Sequence, residues 1–246
     1  MTGERRGTDP NFVDERGLGD PRAHELGSVP IIAIDGPSAS GKGTVAARVA
    51  QALGFHYLDS GALYRLVALA ALRQGVALDD SARLAALARG MDVAFDAGSI
   101  RLGADDVTHA VRAEDVGAAA SRVASQPPVR EALLARQRDF RRLPGLVADG
   151  RDMGSVVFPA APLKVFLTAD VGTRAERRYK QLMEKGMCAR MEDVVEDLAS
   201  RDARDASRAV APLKHYPDAF FLDTTGLTVD QAVERILGWW RDKAAG

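Results

Sequence analysis

The sequence predicts an α/β fold: a parallel five-stranded sheet with helices on both faces, plus a small antiparallel insertion. Three observations carry that expectation. Short β-like runs alternate with longer stretches whose apolar residues recur at three and four positions, as in AARVAQAL and VERILGWW. A Gly-rich turn, GPSASGKGT (36–44), directly follows the first β-like run, VPIIAID. Between Met91 and Val111 the period changes from helical to alternating, which marks a separate antiparallel piece.

The expected core strands are Ile31–Asp35, His56–Asp59, Leu146–Asp149, Lys164–Thr168 and Ala219–Asp223. The expected helices are Gly43–Leu53, Ala62–Gln74, Val129–Arg141, Gly172–Lys185, Met191–Arg208 and Val229–Arg241. Trp239 and Trp240 close the last helix, where packing explains them better than a cofactor does. In the insertion, DVAFDA and SIRLGADDV flank the turn signal Ala97-Gly98-Ser99, so the long gap between the second and third strands is expected to hold a subdomain. Residues 1–29 carry many charges, several Gly and Pro and no apolar periodicity. Such a segment cannot offset its ordering entropy by burial, so it reads as a flexible tail ahead of one domain at 30–246.

The chain has 246 residues, 46% of them hydrophobic, enough for a sizeable core. A net charge of −1 gives no global attraction to nucleic acid or to an anionic membrane. One cysteine, Cys188, excludes an internal disulfide framework, fits a reducing compartment, and has no His-plus-acid company that would make it a nucleophile. No apolar run approaches the roughly 18 residues of a membrane span, and the N-terminus lacks the apolar centre of a signal peptide. The expectation is a soluble cytoplasmic protein with no nucleic-acid or membrane partner.

GPSASGKGT admits two readings. As Gly41-x-Gly43-x-x-Ala46 it imitates a dinucleotide fingerprint, with Asp59 as the acid downstream. As G-x-x-x-x-G-K it is a phosphate loop. A dinucleotide site needs its glycines almost directly after the strand, whereas Gly36 to Ser40 separate Asp35 from Gly41. That longer lead suits successive amides curling around a β-phosphate, and Lys42 adds a point charge toward the β- and γ-phosphates. The ATP-binding candidates are therefore Gly36, Pro37, Ser38, Ala39, Ser40, Gly41, Lys42, Gly43 and Thr44. Gly43 stands where Ser or Thr usually follows the lysine, and the GKGT ending is the variant of nucleoside monophosphate kinases. Metal ligation through Thr44 is correspondingly weaker, although triphosphate chemistry calls for Mg²⁺; Asp149, ending its strand as a Walker B acid does, is a second candidate on the metal side.

A donor triphosphate implies an acceptor, and anion-binding groups recur elsewhere. YLDSGALYR opens a helix with Ser60 near its N-terminus and Arg65 beyond. DGRD ends the third strand, projecting Arg151 and Asp152 from the carboxyl edge of the sheet, where ligands of such folds bind. In RDARDASR, helical spacing gathers Arg201, Asp205 and Arg208 on one face. Alone that string is a solvated face of ion pairs, and Arg130 alone is a surface residue. An acceptor phosphate, however, needs several fixed guanidinium forks, and they are offered here by separate elements.

GPSASGKGT, LDSGALYR, SRVASQPPVREALL, VADGRDMGSVVFP and RDARDASRAVAPL, in this order, closely resemble the bacterial cytidylate kinases over about residues 30 to 240. The resemblance implies the P-loop NTPase-type fold, a monophosphate-binding insertion at about 62–128, a mobile lid at about 172–190, and a monomer. It implies transfer of the γ-phosphoryl group of ATP to CMP or dCMP, with Lys42, Arg151 and Arg208 as the catalytic cations. It assigns Ser60, Arg65, Arg151 and Arg208 to the acceptor phosphate. Ser121, Arg130 and Asp152 fall to the cytosine, and Arg201 and Asp205 to the pentose. In GTRAERRYKQ it points to Arg174, Arg177 and Arg178 as lid residues closing over ATP, where a solvated helix face is the plain alternative. Two rivals stand beside it. Another small-molecule P-loop kinase, for shikimate or a different monophosphate, would lack the cytosine-reading set. A regulatory nucleotide switch would carry a guanine motif such as N-K-x-D, which the sequence lacks.

Overall fold

The computed structural model describes residues 29–96, 99–208 and 210–245. The expected tail, apart from Val29, and Ala97 and Gly98 of the expected turn lie outside the described residues. Among the described residues the first element is β1 (Ile31–Asp35), buried at every position. A central parallel strand is covered on both faces, which is why IIAID reads as an unbroken apolar run. The Gly-rich loop leads into α1 (Lys42–Leu53), closed by Gly54 in the left-handed region with its amide donating to the Ala50 and Gln51 carbonyls. β2 (His56–Asp59) passes straight into α2 (Ser60–Arg73), because the Asp59 carboxylate caps that helix by accepting from the Ala62 amide.

The insertion follows: α3 (Ser81–Gly90), then β3 (Val93–Asp96), β4 (Ser99–Leu102) and β5 (Asp105–Asp106) in one antiparallel sheet, then α4 (Glu114–Val123). α5 (Pro127–Arg138) begins on a proline, which leaves no first-turn amide unsatisfied there. The chain continues through β6 (Leu146–Gly150), β7 (Leu163–Thr168), α6 (Val171–Glu184), α7 (Met191–Ala206), β8 (Phe220–Asp223) and α8 (Val229–Ala245).

The main sheet has five strands in the order β2-β6-β1-β7-β8, every pair parallel, as expected. Alternation along the strands splits the core in two. Ile32, Ile34, Val147, Val165 and Leu167 pack with Val45, Val49 and Ile236 from α1 and α8. Ile31, Ala33, Leu58 and Leu146 pack on the other face with Leu63, Leu66, Leu84 and Leu133 from α2, α3 and α5. Trp239 stacks on Phe220 at 4.7 Å and Trp240 meets Phe55 edge-on at 5.8 Å, so both serve packing. All five carboxyl ends, at Asp59, Gly150, Asp35, Thr168 and Asp223, lie on one edge.

Most element bounds differ from expectation by a residue or two, α8 running four residues further, to Ala245; other departures have a local cause. α3 and α4 are helices that the apolar spacing did not announce; both are alanine-rich, which flattens the contrast between faces. α5 starts at Pro127 and stops at Arg138, short of Arg141. α7 ends at Ala206, two residues before Arg208. There Ala211 takes a left-handed conformation (φ 54°) and the Leu213 amide returns to the Asp205 carbonyl at 2.9 Å. Among the described residues no helix is long and apolar enough to cross a membrane.

Candidate active site

A cleft of about 400 Å³ opens at the carboxyl edge of the sheet, walled by the Gly-rich loop on one side and by basic side chains on the other. Backbone geometry shapes the loop. A Cβ on Gly36 would lie 1.9 Å from the Leu167 carbonyl oxygen, so β7 itself excludes any other residue there. Gly41 (φ 89°) turns the chain into α1, and Ala39 (φ 59°) also holds a left-handed conformation, which costs a residue with a Cβ about 1–2 kcal/mol. The cleft thus meets the N-terminus of α1, where unpaired amides and the helix dipole favour an anion.

Lys42 Nζ folds back to donate to the Pro37 carbonyl at 3.4 Å. Burial, together with the nearby Arg151, lowers its pKa to about 8. Gly43 has a local cause. A Cβ there would come within 3.2 Å of Asp149 Oδ2 and 3.5 Å of the Tyr57 hydroxyl. Those two groups are joined to each other, the Tyr57 O–H donating to Asp149 at 2.6 Å, so the seat usual for a Ser or Thr side chain is crowded. Burial and the neighbouring Asp59 push Asp149 up to about 6, with Lys42 opposing; burial and Asp149 hold the Tyr57 phenol far above its ordinary range.

Ser38, Ala39, Gly41, Lys42, Gly43 and Thr44 line the cleft; Gly36, Pro37 and Ser40 sit beneath it as framework. Ser40 is buried, and its carbonyl accepts from Thr224 Oγ1 at 3.2 Å and from Arg177 at 3.0 Å. Arg177 also donates to the Thr224 carbonyl at 2.7 Å, which places it behind the loop rather than in the cleft. Arg174 is buried as well, bonded to the Ala169 and Ser38 carbonyls and paired with Asp202 at 2.7 Å. Of the three, Arg178 lines the cleft; it pairs with Glu114 at the start of α4, which Lys185 joins at 3.3 Å.

All nine acceptor candidates, Ser60, Arg65, Ser121, Arg130, Arg151, Asp152, Arg201, Asp205 and Arg208, line this same cleft. Two glycines make room for them. A Cβ on Gly150 would meet Ser60 Oγ at 2.5 Å, and one on Gly117 would meet Arg65 Nη1 at 3.0 Å. Arg151 spans the walls: Nη2 donates to Ser38 Oγ at 2.8 Å and Nε to Asp205 Oδ2 at 2.7 Å. The other Asp205 oxygen accepts from Arg208. Arg130, on α5, pairs with Asp152, and both are buried. Arg201 donates to Asp197 one turn back at 3.0 Å, so it belongs both to an ion-paired helix face and to the cleft. Burial raises Asp152 against the opposing pull of Arg130, and burial lowers Arg65 and Arg208.

Two further residues belong to this wall. Tyr64 lines the cleft, buried, with the Arg130 guanidinium 5.9 Å from its ring centroid, and burial pushes its phenol up to about 12. In sequence it is one aromatic beside Arg65, indistinguishable from a core residue. Arg204 donates to Ser121 Oγ at 2.6 Å. It lies three residues from Arg201 and four from Arg208, inside the string already singled out, so helical spacing alone could have included it.

The two walls can hold two phosphate-bearing ligands facing one another. The cytidylate kinase family profile matches residues 32–242. A cytidylate kinase from Chromobacterium violaceum is 58% identical over 218 residues, covering 89% of this chain and 98% of that one. Another, from Burkholderia thailandensis, is 59% identical over 213 residues, covering 87% and 93%. A gluconokinase from Sinorhizobium meliloti 1021 matches at 16% identity with a TM-score of 0.45, over 85% of this chain and 90% of that one, a likeness too loose to carry an argument.

Proposed function

The chain belongs to the cytidylate kinase family and moves the γ-phosphoryl group of ATP onto CMP or dCMP, and we propose that the two walls of the cleft are its donor and acceptor sites. The observation that carries the assignment is Arg151, which bonds at once to Ser38 of the phosphate loop and to Asp205 of the opposite wall. A cation held between two anion sites stands where the transferring group must pass.

Phosphoryl transfer asks for positioning and charge stabilisation more than covalent help. Lys42, Arg151 and Arg208 stabilise the equatorial oxygens of the transferring group. No general base is required, because the acceptor phosphate is already anionic at neutral pH. Ser60 and Arg65 hold that phosphate. Asp152 accepts from the cytosine amine while Arg130 donates to the cytosine carbonyl, with Ser121 completing the edge. Uracil presents a carbonyl to Asp152 and is repelled. Arg201 and Asp205 face the pentose. The insertion at about 62–128 carries the monophosphate wall. The segment at about 172–190 acts as the lid, Arg178 reaching the donor phosphates while Arg177 braces the loop. One chain supplies every one of these groups, which favours a working monomer.

A divalent cation accompanies ATP in this chemistry, and Mg²⁺ is the ion we assign. When bound it would neutralise charge on the donor's phosphate oxygens. Among the described residues no cluster of three or more acidic, His or Cys side chains stands ready to hold an ion. Thr44 and Asp149, which both line the cleft, are the oxygen donors the protein would offer such an ion.

ADP release measured across CMP, dCMP, UMP and AMP tests the reading. CMP and dCMP should be turned over, UMP far more slowly, and AMP negligibly. ADP release independent of the acceptor, or fastest with AMP, overturns it.

A further inference from the structure

Asp35 ends β1 inside the molecule, 7% exposed, immediately before the phosphate loop. A buried carboxylate is unfavourable unless donors meet its charge. Its donors come from another segment: Oδ1 accepts from the Met153 amide at 2.8 Å and Oδ2 from the Gly154 amide at 2.9 Å. Those amides open a single π-helical turn, Met153–Val157, which begins on the residue after Asp152. Asp152 itself sits at φ −149°, ψ 24°, outside the helical and strand regions, so no regular element sets its direction. Both oxygens of Asp35 are therefore spent on where the chain goes directly after Arg151 and Asp152.

We propose that Asp35 is a positioning residue: by spanning the Met153 and Gly154 amides, its carboxylate aims Arg151 and Asp152 and so sets the preference for cytosine over uracil. The proposal rests on the reading of Asp152 as the group that faces the cytosine amine. Asparagine has the same shape but one acceptor oxygen, and its NH₂ group would confront an amide N–H. Protonation of Asp35 has a similar effect, since one oxygen becomes a donor. Burial pushes Asp35 up to about 7, with the two amides opposing; the charged groups acting on it, Asp152 and Arg151, both lie in the segment it holds.

The test compares kcat/KM for CMP and for UMP in the wild type, Asp35→Asn and Asp152→Asn, across the pH window in which Asp35 titrates. The CMP-to-UMP ratio cancels the titration of the acceptor phosphate, which both substrates share. Asp35→Asn should lower the ratio about tenfold, the worth of one charge-assisted hydrogen bond, mainly through KM for the acceptor and with KM for ATP little changed. The wild-type ratio should fall as pH drops through about 7, and that dependence should vanish in Asp35→Asn. An unmoved ratio in Asp35→Asn, whatever its overall rate, overturns the positioning role if Asp152→Asn does move it. If Asp152→Asn leaves the ratio unmoved, the base reading fails and the inference falls with it. Should Asp35→Asn not fold, a wild-type ratio flat through the window overturns the proposal.

Discussion

Lys42 carries an ammonium group that the fold makes unusually easy to lose, since burial and Arg151 bring its pKa to about 8. Bound phosphates favour the charged form, so ATP affinity should decline as pH rises above about 8, with proton uptake near that pH in calorimetry in buffers of different ionisation heat. Lys42→Met should remove both signals and cost turnover about a hundredfold or more, because a charge contact to the transferring group is worth about 3 kcal/mol or more. The same depressed pKa has a stability sign. The folded protein sheds this proton before the unfolded chain does, so this group's contribution rises as pH climbs from about 8 toward 10.5. The residues lining the cleft were legible only in combination, because Arg130 alone reads as a surface residue and RDARDASR as a solvated face, and only the recurrence of basic groups on separate elements points to one wall. The split between Arg177 and Arg178 was not legible: adjacent helical positions differ by about 100° in direction, and only the packing of α6 decides which one braces Ser40 and which enters the cleft.

At the scale of elements, α6 is tied to α4 through Glu114, which pairs with Arg178 and Lys185. These contacts are partly exposed, so together they contribute about 1 kcal/mol or less. Glu114→Gln should leave the melting temperature nearly unchanged while amide exchange along α6 quickens; exchange rates unaltered from the wild type would show that the tie does not hold the helix. The five main strands could be read from the chain because each is a short apolar run followed by a turn or a capping residue, Asp59 being the clearest case. α3 and α4 could not, since SARLAALARG and EDVGAAASRV place small alanines where a strong apolar stripe would stand. Their helical state is fixed by packing, Leu84 and Val116 being fully or nearly fully buried in the core.

For the whole molecule, the sheet divides the core into two faces, each with its own cluster of buried side chains. Ile32 belongs to one face and Leu63 to the other, and both are fully buried. Ile32→Ala and Leu63→Ala should each cost about 2–5 kcal/mol of unfolding free energy, and the double variant should match their sum within about 0.5 kcal/mol. A larger discrepancy in denaturant titrations would mean that the faces are coupled through the sheet. Asp205 holds Arg151 with one oxygen and Arg208 with the other, so these cations already have their counter-ion before a ligand arrives. On the proposed acceptor reading an incoming phosphate would not fall onto bare charge; it would change places with a carboxylate, as an anion does on an exchange resin. Affinity would then report the difference between two similar contacts rather than the full strength of one.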